Sequence, residues 1–207
     1  MNISLILAHP DTTSFCSALA QTAVKTLRSH EHQVFFHDLY AERFDPLLYH
    51  GEFPREAVLP EPIRRHCDEI AAADGIIIVH PNWWGQPPAI LKGWIDRVIR
   101  PGVAYCFEEG DDGEGVPRGL LKAHTAVVLN TSNTPAAREE QVFGDPLERI
   151  WKDCIFDLCG VKTFHRRMFR VIVTSTPDRR VQWLRQTEQI LAEHFPSDKE
   201  RSRTSDL

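Results

Sequence analysis

The sequence predicts an α/β fold, a doubly wound sheet of five parallel strands with helices on both faces. Three observations carry this. Short apolar runs alternate with longer segments of helical spacing along the chain. The runs are apolar throughout, as expected of strands buried on both faces of a parallel sheet. The 207 residues, 42% hydrophobic and 26% charged, suit an ordinary globular fold and exclude a collagen-like or disordered chain.

The elements follow in order. Asn2–Ala8 (NISLILA) reads as a buried strand, and Thr13–Arg28 as a helix with Leu19, Ala23, Val24 and Leu27 on one side. Gln33–His37 is a short β-rich run, and Glu61–Ala73 is helical through Ile63, Cys67 and Ile70. Gly75–Val79 (GIIIV) is the clearest strand, β-branched and uncharged. Ala89–Ile99 is helical, with Pro88 suited to its first turn. Ala123–Leu129 is a strand, and Asp145–Leu158 a helix ending at Gly160. Lys162–Thr174 holds the fifth strand, most apolar at Phe169–Val173. Pro177–Phe195 is an amphipathic helix closing a single domain over 1–195, and 196–207 reads as a polar, frayed tail.

A net charge of -5 argues against a nucleic-acid-coating protein, because phosphate neutralisation needs clustered Lys and Arg. No apolar run approaches the ~20 residues that cross a bilayer. The five cysteines are odd in number and form no Cys-x-x-Cys, so no disulfide framework or zinc ribbon is indicated. The N-terminus has no signal-peptide pattern, and the expected location is the cytoplasm. His30, His32 and His37 read as surface histidines without a matching carboxylate, and Cys154 and Cys159 as core residues.

Ligands of such sheets bind beyond the carboxyl ends of the strands, near the switch in strand order. After the first strand, His9 to Ser17 places four hydroxyl residues where a helix begins. Free amides and hydroxyls there bind an anion such as phosphate; simple N-capping by Thr13 or Ser14 is the alternative. Asp11 would have to face solvent. After the third strand, His80 to Pro88 contains adjacent Trp83 and Trp84, which could wall a flat aromatic ligand or pack into the core. After the fourth strand, Asn130 to Pro135 offers small donors and acceptors for a heterocycle's edge, or a solvated turn. Tyr105 and Phe107 share one face of an extended segment ahead of the acidic loop Glu108–Gly115. That pair reads as an aromatic lid, a dimer contact or a core cover.

Two blocks then show a resemblance. Ala8-His9-Pro10 with Thr13-Ser14-Phe15, and Pro81-Asn82-Trp83-Trp84 running into Pro88 through Val98, resemble the NAD(P)H:quinone oxidoreductases of flavodoxin-like fold. The resemblance spans Ile3 to about Phe195 and implies a flavodoxin-like doubly wound sheet with a bound flavin. FMN is expected, FAD being held by longer chains of the family, with NAD(P)H as co-substrate and a quinone-like acceptor in ping-pong turnover. His9, Thr13, Ser14, Phe15 and Cys16 would hold the phosphate end. Pro81, Asn82, Trp83 and Trp84 would run along the ribityl chain and ring, and Thr131, Ser132 and Asn133 would meet the pyrimidine edge. Tyr105 and Phe107 would cover substrate and flavin from the other subunit of a homodimer. No metal and no membrane insertion is expected.

Two departures stand out. Many members have Thr-Thr-Gly-Gly where this chain has Asn130-Thr131-Ser132-Asn133. The best-studied subgroup also has a Tyr and a His that assist hydride transfer. Here Phe143 falls at the His position, and no tyrosine lies between Thr134 and Phe143. An alternative is therefore a regulatory flavoprotein subunit of a membrane transporter, and another is a one-electron carrier.

Overall fold

The computed structural model describes residues 1–107 and 115–197. The expected acidic loop, apart from Gly115, and the expected tail beyond Ser197 lie outside the described residues.

In chain order the elements are β1 (Asn2–Leu7), α1 (Phe15–Ser29), β2 (Gln33–Asp38), α2 (Glu61–Ala72), β3 (Gly75–Pro81) and α3 (Ala89–Val98). They continue with β4 (Tyr105–Cys106), β5 (Arg118–Gly119), β6 (Thr125–Ser132), α4 (Ala136–Gln141), α5 (Pro146–Arg149), β7 (Thr163–Arg170) and α6 (Pro177–His194). The main sheet has the order β2-β1-β3-β6-β7, with every pair parallel. The order reverses between β1 and β3, so their carboxyl ends open the crevice that such sheets use.

All seven residues of β3 are buried, as its uninterrupted apolar run requires. Two cores cover the sheet. Ile3, Leu5, Ile77, Val127 and Phe169 pack under α1 and α6. Ile6, Ile78, Val128, Trp94, Trp151 and Phe156 pack on the opposite face, under α2, α3 and the segment after α5. Ser14 caps α1 by accepting from the Ser17 amide, and Thr176 caps α6 by accepting from Arg179. Gly93 stands within α3 because a Cβ there would collide with the Pro46 backbone. One turn on, Arg97 donates to Asp45 O at 2.6 Å and to Glu52, lashing residues 45–52 onto the helix. No described helix is long and apolar enough to cross a membrane.

Several expectations need correction. The helix expected over Asp145–Leu158 begins one residue later, because Asp145 takes a left-handed φ of 46° outside it. It then widens into π-type turns over Ile150–Phe156, where the buried Trp151 and Phe156 rings stack at 5.7 Å. The fifth strand stops at Arg170. Beyond it Ile172 donates to Ser132 O, Val173 donates to Asn133 Oδ1, and the Val173 side chain stands exposed. Asn130, Thr131 and Ser132, expected in a loop, belong to β6 and are buried, because β7 pairs with them as far as Ser132. His32 and His37 are buried, not on the surface. His32 Nε2 lies 3.0 Å from Phe195 O, and His37 meets Glu42 and Glu69. Cys159 is buried as expected, but Cys154 is exposed. The short α4 and the two-residue pairing of β4 with β5 had no expectation.

Candidate functional site

Three segments meet at the carboxyl edge of the sheet. The first follows β1. Asp11 Oδ1 accepts both the amide and the hydroxyl of Thr13, each at 2.7 Å. These bonds lower the pKa of the exposed Asp11 carboxyl. Asp11 thus faces solvent as expected, yet it engages donors that an incoming phosphate would use. Ser17 Oγ donates to Asp11 O at 3.1 Å and lies 3.1 Å from Ser14 Oγ. The first-turn amides of Phe15 and Cys16 have no carbonyl partner within the helix. The Cys16 side chain is buried and turned to Thr131, with Sγ and Oγ1 3.2 Å apart. Cys16 therefore faces this loop through its backbone only, not its thiol. Phe15 packs against Phe169 and Trp183, so its ring serves the core.

The second segment follows β3. Trp83 and Gln86 exchange backbone hydrogen bonds at 3.2 and 3.0 Å, closing a two-residue turn. Trp84 and Gly85 take φ of 58° and 72°, the signature of a type I′ turn. Glycine suits its position; Trp84 occupies the left-handed region against its preference. Its side chain is fully exposed at the tip, whereas Trp83 is 41% exposed and lies 6.0 Å from the His9 ring. Asn82 secures the turn by accepting from the Gly85 amide at 3.0 Å. Its amide donates to Thr131 O at 2.7 Å, joining the second segment to the third.

The third segment is the end of β6 with α4. Asn82 Nδ2 donates to Glu139 Oε2 at 3.1 Å. Glu139 is 1% exposed, and its Oε1 is buried with no hydrogen-bond partner. A buried acceptor without a partner is costly. Glu139 lines a cleft of about 540 Å3 with Asn82, Trp84, Asn133, Arg138 and Phe143. The Arg138 guanidinium lies 5.6 Å from the Phe143 ring centroid.

Beneath the cleft a neutral histidine fixes the strand ends. His80 and Asn130 are register partners on β3 and β6. Trp151 Nε1 donates to His80 Nε2 at 2.9 Å, so that nitrogen carries no proton. Nδ1 then bears the proton and donates to Pro81 O at 2.8 Å. Complete burial pushes the His80 pKa down to about 4, so the ring stays neutral near pH 7.

A second cluster at the end of β2 joins His37, Glu42 and His66. The Trp94 indole N–H donates to His66 Nδ1 at 3.1 Å, which leaves the His66 proton on Nε2, 3.3 Å from Glu42 Oε2. A metal would need that nitrogen bare, so the trio is a hydrogen-bond network and not a metal centre.

Of the residues singled out in sequence, the fold brings His9, Thr13, Ser14, Pro81, Asn82, Trp83, Trp84, Thr131, Ser132 and Asn133 to one edge. Thr131 and Ser132 contribute from buried positions, and Asn133 emerges into the cleft. Tyr105 and Phe107 share a face as expected, with ring centroids 6.0 Å apart, but neither lines this cleft. Glu139 and Arg138 were missed. No motif marks them, since the Asn82–Glu139 bond links positions 57 residues apart.

Fold and site together define a doubly wound α/β protein with a ligand cleft at the carboxyl edge of its sheet. The chain belongs to the family described as Flavodoxin-like fold, which it matches over residues 1–194. It is 35% identical to an uncharacterized NAD(P)H oxidoreductase of Haemophilus influenzae, over 82% of this chain and 83% of that protein. The solved NAD(P)H:quinone oxidoreductase of Methanothermobacter marburgensis superimposes with a TM-score of 0.78 at 25% identity, covering 94% of this chain and 98% of the other. An FMN-dependent NADH-azoreductase of Bacillus anthracis, solved with FMN, shares the fold at a TM-score of 0.73 and 12% identity, over 93% and 99% of the two chains.

Proposed function

We propose that this chain is an FMN-dependent NAD(P)H oxidoreductase that reduces a quinone-like acceptor, acting as a cytoplasmic homodimer. The observation that carries the reading is the cleft of about 540 Å3, walled by an exposed indole and floored by a carboxylate oxygen without a partner. The residues fit a flavin. The amides of Phe15 and Cys16, with the Ser14 hydroxyl, supply donors for a phosphate at a helix N-terminus. His9, Pro81, Asn82, Trp83 and Trp84 would hold the ribityl chain and ring, and Thr131, Ser132 and Asn133 would offer polar groups to a pyrimidine edge. A bound flavin supplies hydride-level redox chemistry between donor and acceptor.

The protein's own groups orient and protonate. Donor and acceptor would use the cleft beside Trp84 in turn, and a cleft shared in this way would give ping-pong turnover. Glu139, held through Oε2 by Asn82, handles at Oε1 the proton that accompanies acceptor reduction. The Arg138 charge beside Phe143 favours negative charge developing at the rim. Tyr105 and Phe107 cover the cleft of the partner subunit.

The test is direct. The purified protein is expected to be yellow, to release a ligand with the mass of FMN, and to oxidise NADH or NADPH only when a quinone is supplied. A protein that stays colourless after incubation with FMN and FAD, and oxidises neither donor, overturns the proposal.

A further inference from the structure

Three guanidinium groups gather at a second cavity bordered by the same short helix. Arg167 and Arg170 of β7 and Arg179 in the first turn of α6 line a space of about 390 Å3, with Ala136 and Glu140 of α4 and Trp183. Arg166 also borders it, but Asp145 and Glu148 neutralise that side chain. The other three form no ion pair among the described residues. Arg167 donates to Gln186 Oε1 at 3.2 Å, and Arg179 lies 5.4 Å from the Trp183 ring centroid. Arg170 Nη1 is buried and has no hydrogen-bond partner.

The buried Arg170 donor without a partner is costly, the Arg167 and Arg179 side chains are exposed at the rim, and one carboxylate, Glu140, shares the lining with these three cations. Three arginines lining one cavity offer planar donor forks of the kind that match the oxygens of a phosphate. The placement names the ligand. Ala136 and Glu140 border this cavity, while Pro135, Arg138 and Glu139 of the same stretch border the cleft. Arg170 is the register partner of Ser132, on strands about 4.8 Å apart.

We propose that this arginine pocket binds a phosphoryl dianion, and that the dianion is the 2′-phosphate of NADPH, so that the enzyme selects NADPH over NADH. The assignment rests on the cleft's use of a nicotinamide dinucleotide. NADH lacks the phosphate and leaves the three arginines unengaged. A free phosphomonoester is the other source of the same chemistry, and the experiment separates the two.

The flavin-loaded enzyme is compared with Arg170→Ala, Arg179→Ala and the conservative Arg170→Lys, using NADPH and NADH against one quinone. All forms are also titrated calorimetrically with 2′,5′-ADP, AMP and inorganic phosphate. Wild type should favour NADPH roughly tenfold or more in kcat/KM, the scale of one charge-assisted hydrogen bond. The alanine variants should lose that preference through a higher KM for NADPH, with NADH kinetics unchanged, and Arg170→Lys should retain part of it. 2′,5′-ADP should bind wild type more tightly than AMP, and the alanine variants more weakly than wild type. Equal loss of NADH and NADPH turnover overturns the proposal, as does 2′,5′-ADP binding that is absent or unaffected by the substitutions. Phosphate binding without a preference for 2′,5′-ADP over AMP overturns the dinucleotide assignment. The titrations need neither flavin nor turnover. A colourless protein that still binds 2′,5′-ADP through these arginines would refute the flavin reading and support the pocket.

Discussion

Cys16 Sγ and Thr131 Oγ1 lie 3.2 Å apart, joining the first turn of α1 to the end of β6 across 115 residues of chain. Burial pushes the Cys16 thiol up to about 12, outweighing the opposing hydrogen bond from Thr131. A thiol held protonated is a poor nucleophile. Cys16 should therefore stay unmodified when the folded protein meets an alkylating reagent, while the exposed Cys154 reacts. Peptide mass mapping reads the outcome, and rapid labelling of Cys16 in folded protein would refute the burial argument.

Trp84 holds a left-handed backbone and touches solvent on all sides. Replacing it with glycine relieves the backbone penalty, about 1 kcal/mol, and removes the indole. Trp84→Gly should leave the thermal stability of the flavin-free protein equal or slightly higher and weaken flavin binding about tenfold, near the upper end of an aromatic contact. Trp84→Ala should lose the flavin contact without the gain in stability. Calorimetry and flavin fluorescence measure the two effects separately.

Asp11 engages both Thr13 donors and carries a negative charge at the expected phosphate site. Asp11→Asn keeps an acceptor oxygen and removes the charge. FMN affinity should rise about threefold to tenfold at low salt, and the gain should shrink as ionic strength screens it. Riboflavin, which has no phosphate, should bind both forms alike. A matching gain for riboflavin would place the phosphate elsewhere.

Glu139 Oε1 is buried without a hydrogen-bond partner at the lining of the cleft, and the proposed function gives it the proton. Glu139→Gln preserves size and an acceptor for Asn82 Nδ2 but cannot exchange a proton. It should lower kcat about 100-fold, with flavin content unchanged. Unaltered kcat across the pH range would take Glu139 out of the chemistry.

The network at the end of β2 sets a pH window for stability. Burial pushes the Glu42 pKa up, but hydrogen bonds from His37 and His66 prevail and hold it at about 2. A depressed carboxyl contributes stability that is complete above its ordinary 4.5 and lost as pH falls toward 2. Burial pulls the His37 pKa down, but hydrogen bonds to Glu42 and Glu69 prevail and raise it. That contribution is complete below the ordinary 6.5 and lost as pH rises through the raised value. The Tm difference between wild type and Glu42→Gln should thus be greatest between about pH 4.5 and 6.5, and close as pH falls toward 2. A difference independent of pH would mean that packing, not charge, holds this corner.

The sheet was legible because its strands are apolar on both faces, as in Gly75-Ile76-Ile77-Ile78-Val79. The first two loops were legible because they follow such strands, and the adjacent tryptophans are unusual in a turn; the third was misplaced, since Asn130, Thr131 and Ser132 continue β6. Illegible features depended on distance or brevity. Glu69 approaches His37 from 32 residues away, so no local pattern gives that histidine its partner. α4 has six residues, three of them charged, too few to show a period. Within the widened turns after α5, Trp151 donates to His80 from 71 residues away, a pairing that spacing along one helix does not encode.

The type I′ turn has one further consequence. Main-chain bonds and the Asn82 carbonyl hold its shape, and the side chain at its tip supports nothing beneath it. That tip is an interchangeable mount. Descendants of this sequence can trade the indole for another group and retune which molecules are welcomed, while the scaffold below keeps its architecture intact.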